Sequence, residues 1–377
     1  MPIVDNGIES IEFHENELAA RTNLNDAGEI RTNIEQLDLF TLSSEAYLLI
    51  EGQLVKADGT AYAYTDAVTL TNNGIMYLFS EISYQLSNQN IETIYHPRRA
   101  TTMLGMLKYP NDFQLAQGLN QLWYKNNTTT AVLADNPGFS MRQSYIIRKP
   151  TTKVSFSFCI PLRHIFGFCE DYDRVIYGFK HTINLKRDSD AIFELAGIVL
   201  GKVNLNKISL LIPHVIPSDA KRISLYKSIE SKMAIPVSFR ARQCDTIPVA
   251  QANSFFWRLS VKLNQERYPV VDYNLSFPNQ QFSKAYRDAA VFNEKFYGMN
   301  ELITHSNITP SDYKDLYPLF VFDVSKQSER LKSSTLDVQV KATFNSAVPA
   351  VTDAYAVVLS DRIIQFQSNG NKMNVAY

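Results

Sequence analysis

The chain is short of sulfur, of glycine and of surplus charge. Three cysteines (Cys159, Cys169 and Cys244) in 377 residues are too sparse and too odd in number for a disulfide framework, so reduced thiols are expected. Glycine numbers only 14, and the chain has no G-x-G-x-x-G, P-loop, G-x-S-x-G or H-E-x-x-H sequence. Dinucleotide binding, phosphate cradling, the hydrolase elbow and zincin chemistry therefore lack their usual signatures. No apolar run approaches the roughly 20 residues of a membrane span. Met1 to Glu9 is polar and acidic, so no basic-then-apolar leader is expected. Lys plus Arg total 37 against 38 Asp plus Glu, and that balance does not supply the clustered positive charge with which proteins wrap nucleic acid.

What the chain does hold is aromatic and strand-forming. Tyr 20 and Phe 22 favour β structure, and period-2 alternation recurs from end to end. Val154, Phe156, Phe158 and Ile160 share one face; His181, Ile183 and Leu185 share another. The same habit returns at Phe255, Trp257, Leu259 and Val261, and at Leu336, Val338, Val340, Ala342 and Phe344. These read as half-buried strands of antiparallel sheets. The apolar runs Tyr47–Ile50, Leu319–Phe322 and Tyr355–Leu359 read as strands covered on both faces. Helical spacing is confined to Arg98–Leu107, to Ser283–Phe292 and to a turn at Ile165–Cys169.

Strands that do not alternate with helices place the chain in the all-β class, and its length exceeds one ordinary sandwich. Two sandwiches in tandem, with short helices in their loops, is the expectation. A break is expected near Gly201–Asn206, where the apolar stretch Ala191–Leu200 ends and a strand at Lys207–Leu211 begins. No low-complexity linker marks it, so the halves are expected to pack rigidly. Residues 1–30 carry seven acids against the single base Arg21, which reads as a solvated or docking arm.

The residues that could carry chemistry have ordinary explanations. Cys159, His164, Cys169 and His181 are zinc-ligand types within one short stretch, but they lack the close pairs of a finger or ribbon, and buried core positions account for them. Glu170, Asp171 and Asp173 could hold a cation or act as an acid and base, or simply cap a turn. His14, His96, His214 and His305 have no neighbouring nucleophile pattern. Sequons stand at Asn126, Asn127, Asn274 and Asn307 and are expected to be ordinary loop residues. Trp123-Tyr124 amid polar residues reads as a sugar platform or, more simply, as an anchored loop or subunit contact. The sequence nominates no catalytic, cofactor-binding or metal-ligating residue.

The block from Ile160 through Pro161-Leu162-Arg163-His164 to Asp173, followed by Val175-Ile176-Tyr177-Gly178 and the strand from His181 to Arg187, resembles the double jelly-roll major capsid proteins of tailless double-stranded DNA viruses. The Polinton (Maverick)-like and adintovirus-like group, with its endogenous copies in invertebrate genomes, is the nearest in look. Lys207–Ser209, Pro213–Ser218 and Tyr273–Pro278 carry the same likeness. The resemblance implies two eight-stranded jelly rolls, 31–205 and 206–377, their strands running from about Leu37 to Arg187 and from Lys207 to Phe366. It implies a homotrimeric, pseudo-hexameric capsomer of an icosahedral shell, made in the host cell and lodged in the virion. The partners would be copies of itself and a penton or minor capsid protein, with no strong direct hold on nucleic acid. Arg98–Arg142 would then be an excursion forming a tower or trimer contact, and the acidic arm a tether under a neighbour. Family members carry a longer connection after Val261 than the Lys262–Tyr268 stretch found here. A carbohydrate-binding or carbohydrate-cleaving β-sandwich, or a domesticated host protein with the same fold, would share the strand pattern.

Overall fold

The computed structural model describes residues 7–17, 23–63, 65–128, 135–146, 155–188, 193–195, 201–231, 234–247, 257–264, 266–299, 307–326, 337–344, 352–369 and 372–376. In the first half the strands are β1 (Ile8–Glu17), β2 (Glu29–Ile34), β3 (Phe40–Thr41), β4 (Tyr47–Lys56), β5 (Val68–Leu70), β6 (Phe79–Leu86) and β7 (Gln89–Tyr95). Helices α1 (Pro97–Lys108) and α2 (Pro137–Ile146) follow, then β8 (Ser155–Pro161), α3 (Leu162–Ile165), α4 (Gly167–Asp171), β9 (Ile176–Tyr177), β10 (His181–Arg187), β11 (Phe193–Leu195) and β12 (Gly201–Pro217). Helix α5 (Asp219–Glu230) leads to β13 (Ile235–Ile247), β14 (Trp257–Leu263), β15 (Glu266–Leu275), α6 (Ser283–Ala290), α7 (Phe292–Tyr297) and α8 (Pro310–Asp315). The chain ends in β16 (Val338–Thr343), β17 (Ala354–Asn369) and β18 (Lys372–Ala376).

The first sandwich sets the sheet β8-β4-β12-β3-β9, extended by β1 on β12, over the sheet β2-β10-β6-β7. Alternation explains why. Leu48, Ile50 and Leu54 of β4, Phe156, Phe158 and Ile160 of β8, and Ile183 and Leu185 of β10 all turn into one core, and most of their neighbours in sequence, Val55 and Thr182 excepted, are less buried. β6 and β7 are joined by Ser87 and Asn88, both at positive φ (48° and 67°), as a two-residue hairpin on right-twisted strands requires. The second half forms the sheets β13-β17-β18 and β15-β14-β16. β14 reverses directly into β15, with Leu263 opposite Glu266 and Val261 opposite Tyr268, so the short stretch after Val261 is a closed hairpin.

Two expectations change. Lys207–Leu211 does not open a second roll: Gly201–Pro217 is one continuous strand, whose residues 201–211 pair with β4 and whose residues 209–217 pair with β1. An apolar strand looks the same whichever sheet it completes, and here the unpaired edge of β4 claims it. Leu319–Phe322 is not a strand. It follows Pro318, which has no N–H to give a ladder, and its side chains pack half-buried on the second core. The acidic arm, read as solvated or docking, docks on its own chain through Ile8–Glu17, with Glu15 and Glu17 paired to Lys207. Helices at Pro97–Lys108 and Ser283–Ala290 stand where their spacing predicts, and the helical turn expected at Ile165–Cys169 is split by extended Phe166 into α3 and α4. The stretch Ala191–Leu200 outside β11, and His305, lie outside the described residues.

Each half contributes to the other's interior. Val237, Phe239, Ile364 and Phe366 of the second half join the first core. In return Leu104, Leu107, Tyr109 and Trp123, from the excursion between β7 and β8, join Leu259, Tyr273, Phe292 and Tyr313 in a second core. The described residues of Arg98–Arg142 thus contribute to both cores.

Candidate functional site

The densest cluster of ionisable groups lies where β7, α1, α3, α4, β13 and α7 meet, at the joint between the two halves. Its centre is Arg242 on β13, whose side chain is 5% exposed. One terminal nitrogen donates to the carbonyls of His164 (3.0 Å) and Ile165 (2.8 Å), and the other to the carbonyl of Arg163 (3.2 Å) and to the carboxylate of Glu170. Carbonyls at the end of a helix lack intrahelical partners; here a guanidinium from the other half supplies them.

Glu92 on β7 works the opposite end. One of its oxygens accepts the backbone N–H of Arg242 (2.8 Å) and the other that of Phe168 (3.0 Å), in the first turn of α4. Burial raises the Glu92 carboxyl above the usual range, against the pull of Arg242 and these N–H groups. At the start of α4 stands Gly167, where a Cβ would lie 1.8 Å from the carbonyl oxygen of Arg240. Only glycine lets the backbone of β13 approach this closely.

Asp171 and Arg240 make the outer clamp. Asp171 accepts the backbone N–H of Arg240 at 2.7 Å and its Nε at 2.9 Å, with a further bond from the guanidinium, a fork-on-carboxylate geometry. Burial alone would raise this carboxyl, but the bonds from Arg240 outweigh it and hold it low. The same guanidinium donates to the carbonyl of Phe296 (2.6 Å) and lies 4.0 Å over its ring. Glu170 is shared by Lys108, Arg242 and the Tyr297 hydroxyl (3.1 Å). A cavity of about 10 Å³, the size of one water, lies among Lys108, His164, Glu170, Arg242 and Tyr297.

A second clamp binds the excursion to the second half. Lys125 pairs with Asp312 at 2.7 Å and donates to the carbonyl of Asn307; Asp312 also closes the capping box of α8 with Thr309. Asn293 donates to the Lys108 carbonyl (3.1 Å) and Tyr317 to that of Asn126 (2.9 Å).

The residues singled out in the sequence are thereby placed. Cys159, His164, Cys169 and His181 go to β8, α3, α4 and β10. His181 spends its ring nitrogens on Thr41 (2.9 Å) and Tyr84 (2.7 Å), and His164 Nδ1 meets Gln121 at 2.9 Å. Burial holds both imidazoles down to about 3 and pushes the Cys169 thiol up. Among the described residues no three His, Cys, Asp or Glu side chains converge as a metal set. Glu170 and Asp171 enter the joint, and Asp173 is exposed. Trp123 is buried, edge-on to Tyr109 at 5.0 Å, so it is the anchored loop and not an open platform. Asn307 is buried and Asn126 accepts from Arg142 (2.8 Å), whereas Asn274 is exposed on β15. Arg242, Glu92 and Arg240 carry no local pattern; burial within a strand marks only Arg242 and Glu92, and Arg240 is part-exposed.

The arrangement joins rather than transforms. Each ionised group is matched by a partner and covered, which serves two bodies held at a fixed angle.

Comparison with known proteins bears on the same architecture. The double jelly roll-like domain matches residues 128–261 and 254–364. No curated protein matches the chain. Among solved structures, a chain of the 3.5 Å cryo-EM structure of the Sputnik virophage matches with a TM-score of 0.58 at 13% identity, over 100% of this chain and 90% of that one. The crystal structure of PBCV-1 VP54, fitted into a reconstruction of Sputnik, matches with a TM-score of 0.52 at 8% identity, over 98% and 97%. The quasi-atomic model of the PBCV-1 virus capsid gives 0.51 at 10%, over 98% and 97%. At these identities the likeness is one of fold.

Proposed function

The chain belongs to the double jelly roll-like domain family, and on that premise we propose that it is a major capsid protein, the structural subunit of an icosahedral viral shell. Three copies would make a pseudo-hexameric capsomer, each copy giving two of the six lobes. The observation that carries this reading is the joint itself: two sandwiches exchange core residues and are locked by Arg242, Glu92 and Arg240. A tile that must meet identical neighbours on every side needs a fixed angle between its lobes, because symmetric assembly reuses the same contacts in every copy.

We place the division between the lobes at α5, after β12, and the subunit in the group of Polinton-like and adintovirus-like viruses or their endogenous copies. A penton or minor capsid protein would complete the shell, and the genome would be held by other, basic proteins, in keeping with the balance of 37 cationic against 38 acidic residues. Burial of Trp123 and pairing of Asp171 with Arg240 remove the open aromatic and the carboxylate pair on which a carbohydrate-active reading would rest.

Size-exclusion chromatography with light scattering, followed by electron microscopy of the purified chain, tests the assignment. Trimers with six-lobed outlines, or closed particles, are the expected result. A chain that stays monomeric at high concentration overturns it.

A further inference from the structure

The arm strand meets β12 through two stacked histidines. On the antiparallel ladder Glu12 stands opposite His214 and His14 opposite Ile212, so both imidazoles and the Glu12 carboxylate share one face at diagonal positions. The ring centroids of His14 and His214 are 3.9 Å apart, with planes 13° from parallel. His14 is half-exposed, and its Nε2 lies 3.6 Å from Glu12. His214 is buried, and its Nε2 has no hydrogen-bond partner.

We propose that this pair is an acid-released latch: the stacked rings hold β1 on the sheet, and protonation of the buried His214, whose Nε2 has no hydrogen-bond partner, puts a positive charge against the His14 ring and frees the strand.

The surrounding groups leave that cost standing. Glu12, opposite His214 on the ladder, offsets only part of it. The remaining carboxylates of β1 that lie over β12, Glu15 and Glu17, are drawn to Lys207 at 2.6 and 3.5 Å. On the other side of β12, Thr41 of β3 pairs with His214 and meets the ring of His181, a buried imidazole that stays neutral and brings no counter-charge. β2, which also touches β1, brings Glu29 and Arg31, the latter turned onto Asn33 (3.0 Å). Burial first, and then His14, hold the His214 imidazole below its ordinary 6.5. A base harder to protonate when docked than when free takes up its proton on release, so acid drives release.

Hydrogen exchange of the full-length chain, with intrinsic rates corrected for pH, reads the arm directly. Protection of residues 8–17 should fall up to about tenfold per pH unit below the free imidazole range, while the β13–β17 ladder keeps its own. His14→Gln should retain protection at neutral pH and show a smaller acid step, because burial, the larger cause of the lowered His214 imidazole, remains. Glu12→Gln, which removes the offsetting carboxylate, should deepen that step. Arm protection that stays level into acid, a His14→Gln chain that opens as the wild type does, or loss shared equally by the β13–β17 ladder each overturns the proposal.

Discussion

Glu92 accepts the backbone N–H of Arg242 at 2.8 Å, tying together two strands 150 residues apart. The bond spans the two halves of the chain, and the side chain of the same arginine finishes the last turn of α3. Neither residue is free to relax, because Glu92 also holds the backbone N–H of Phe168, and Arg242 holds the carbonyls of α3 and the Glu170 carboxylate. The angle between the sandwiches is thereby set by hydrogen-bond geometry in addition to apolar contact.

Arg242→Met tests how much rests on that geometry. The apolar side chain fills part of the space but leaves Glu170 short of a partner and three carbonyls without a donor. Breaking one side of a buried ion pair costs about 3–5 kcal/mol. A urea titration should show that loss as a lower midpoint with little change in slope.

Gly167→Ala should fail for a steric reason. The added methyl lies 1.8 Å from a backbone oxygen of β13, which cannot rotate away as a side chain could. A loss of about 3 kcal/mol, at the upper end of the usual overpacking range, is expected in chemical denaturation. Gly28→Ala, where nothing lies within 4 Å, is the matched control and should fall within about 0.5 kcal/mol of wild type.

The fold is more legible in the sequence than the joint is, and the reason is range. A strand with one buried face must alternate, so Phe156, Phe158 and Ile160 announce β8 without help from the rest of the chain. Pro97 likewise opens α1 at its first turn. Glu170 and Asp171 look like turn residues because the arginines that claim them lie about 70 residues on. His14 and His214 look unrelated for the same reason, being joined only by the register of β1 on β12. The break expected at Gly201–Asn206 shows the same limit: local pattern identifies a strand and says nothing of which sheet it completes.

Among the described residues Trp123 is the largest fully buried side chain, and it sits where the excursion enters the second core. Its ring lies against Gly105, where a Cβ would come within 2.4 Å. Trp123→Ala should cost about 3–5 kcal/mol, measured by thermal or urea unfolding. Trp123→Phe should cost less, because it keeps an aromatic against Tyr109 and removes an indole N–H that has no partner.

Asp171 gives the joint a dependence on acid that is separate from the arm. Its carboxyl is held below the ordinary 3.8 in the folded chain, since the bonds from Arg240 exceed the penalty of burial. When the folded value is the lower one, the unfolded chain binds the proton first as pH drops. The stabilisation is therefore complete above the unfolded value and is lost as pH falls below about 3.8 toward the folded one. Asp171→Asn should be less stable than wild type at neutral pH, and the gap between the two should narrow in that acid window. Urea midpoints measured for both chains at neutral pH and below pH 3.8 check it; a gap of constant size would mean that the Asp171 pairing with Arg240 contributes no charge-dependent stability.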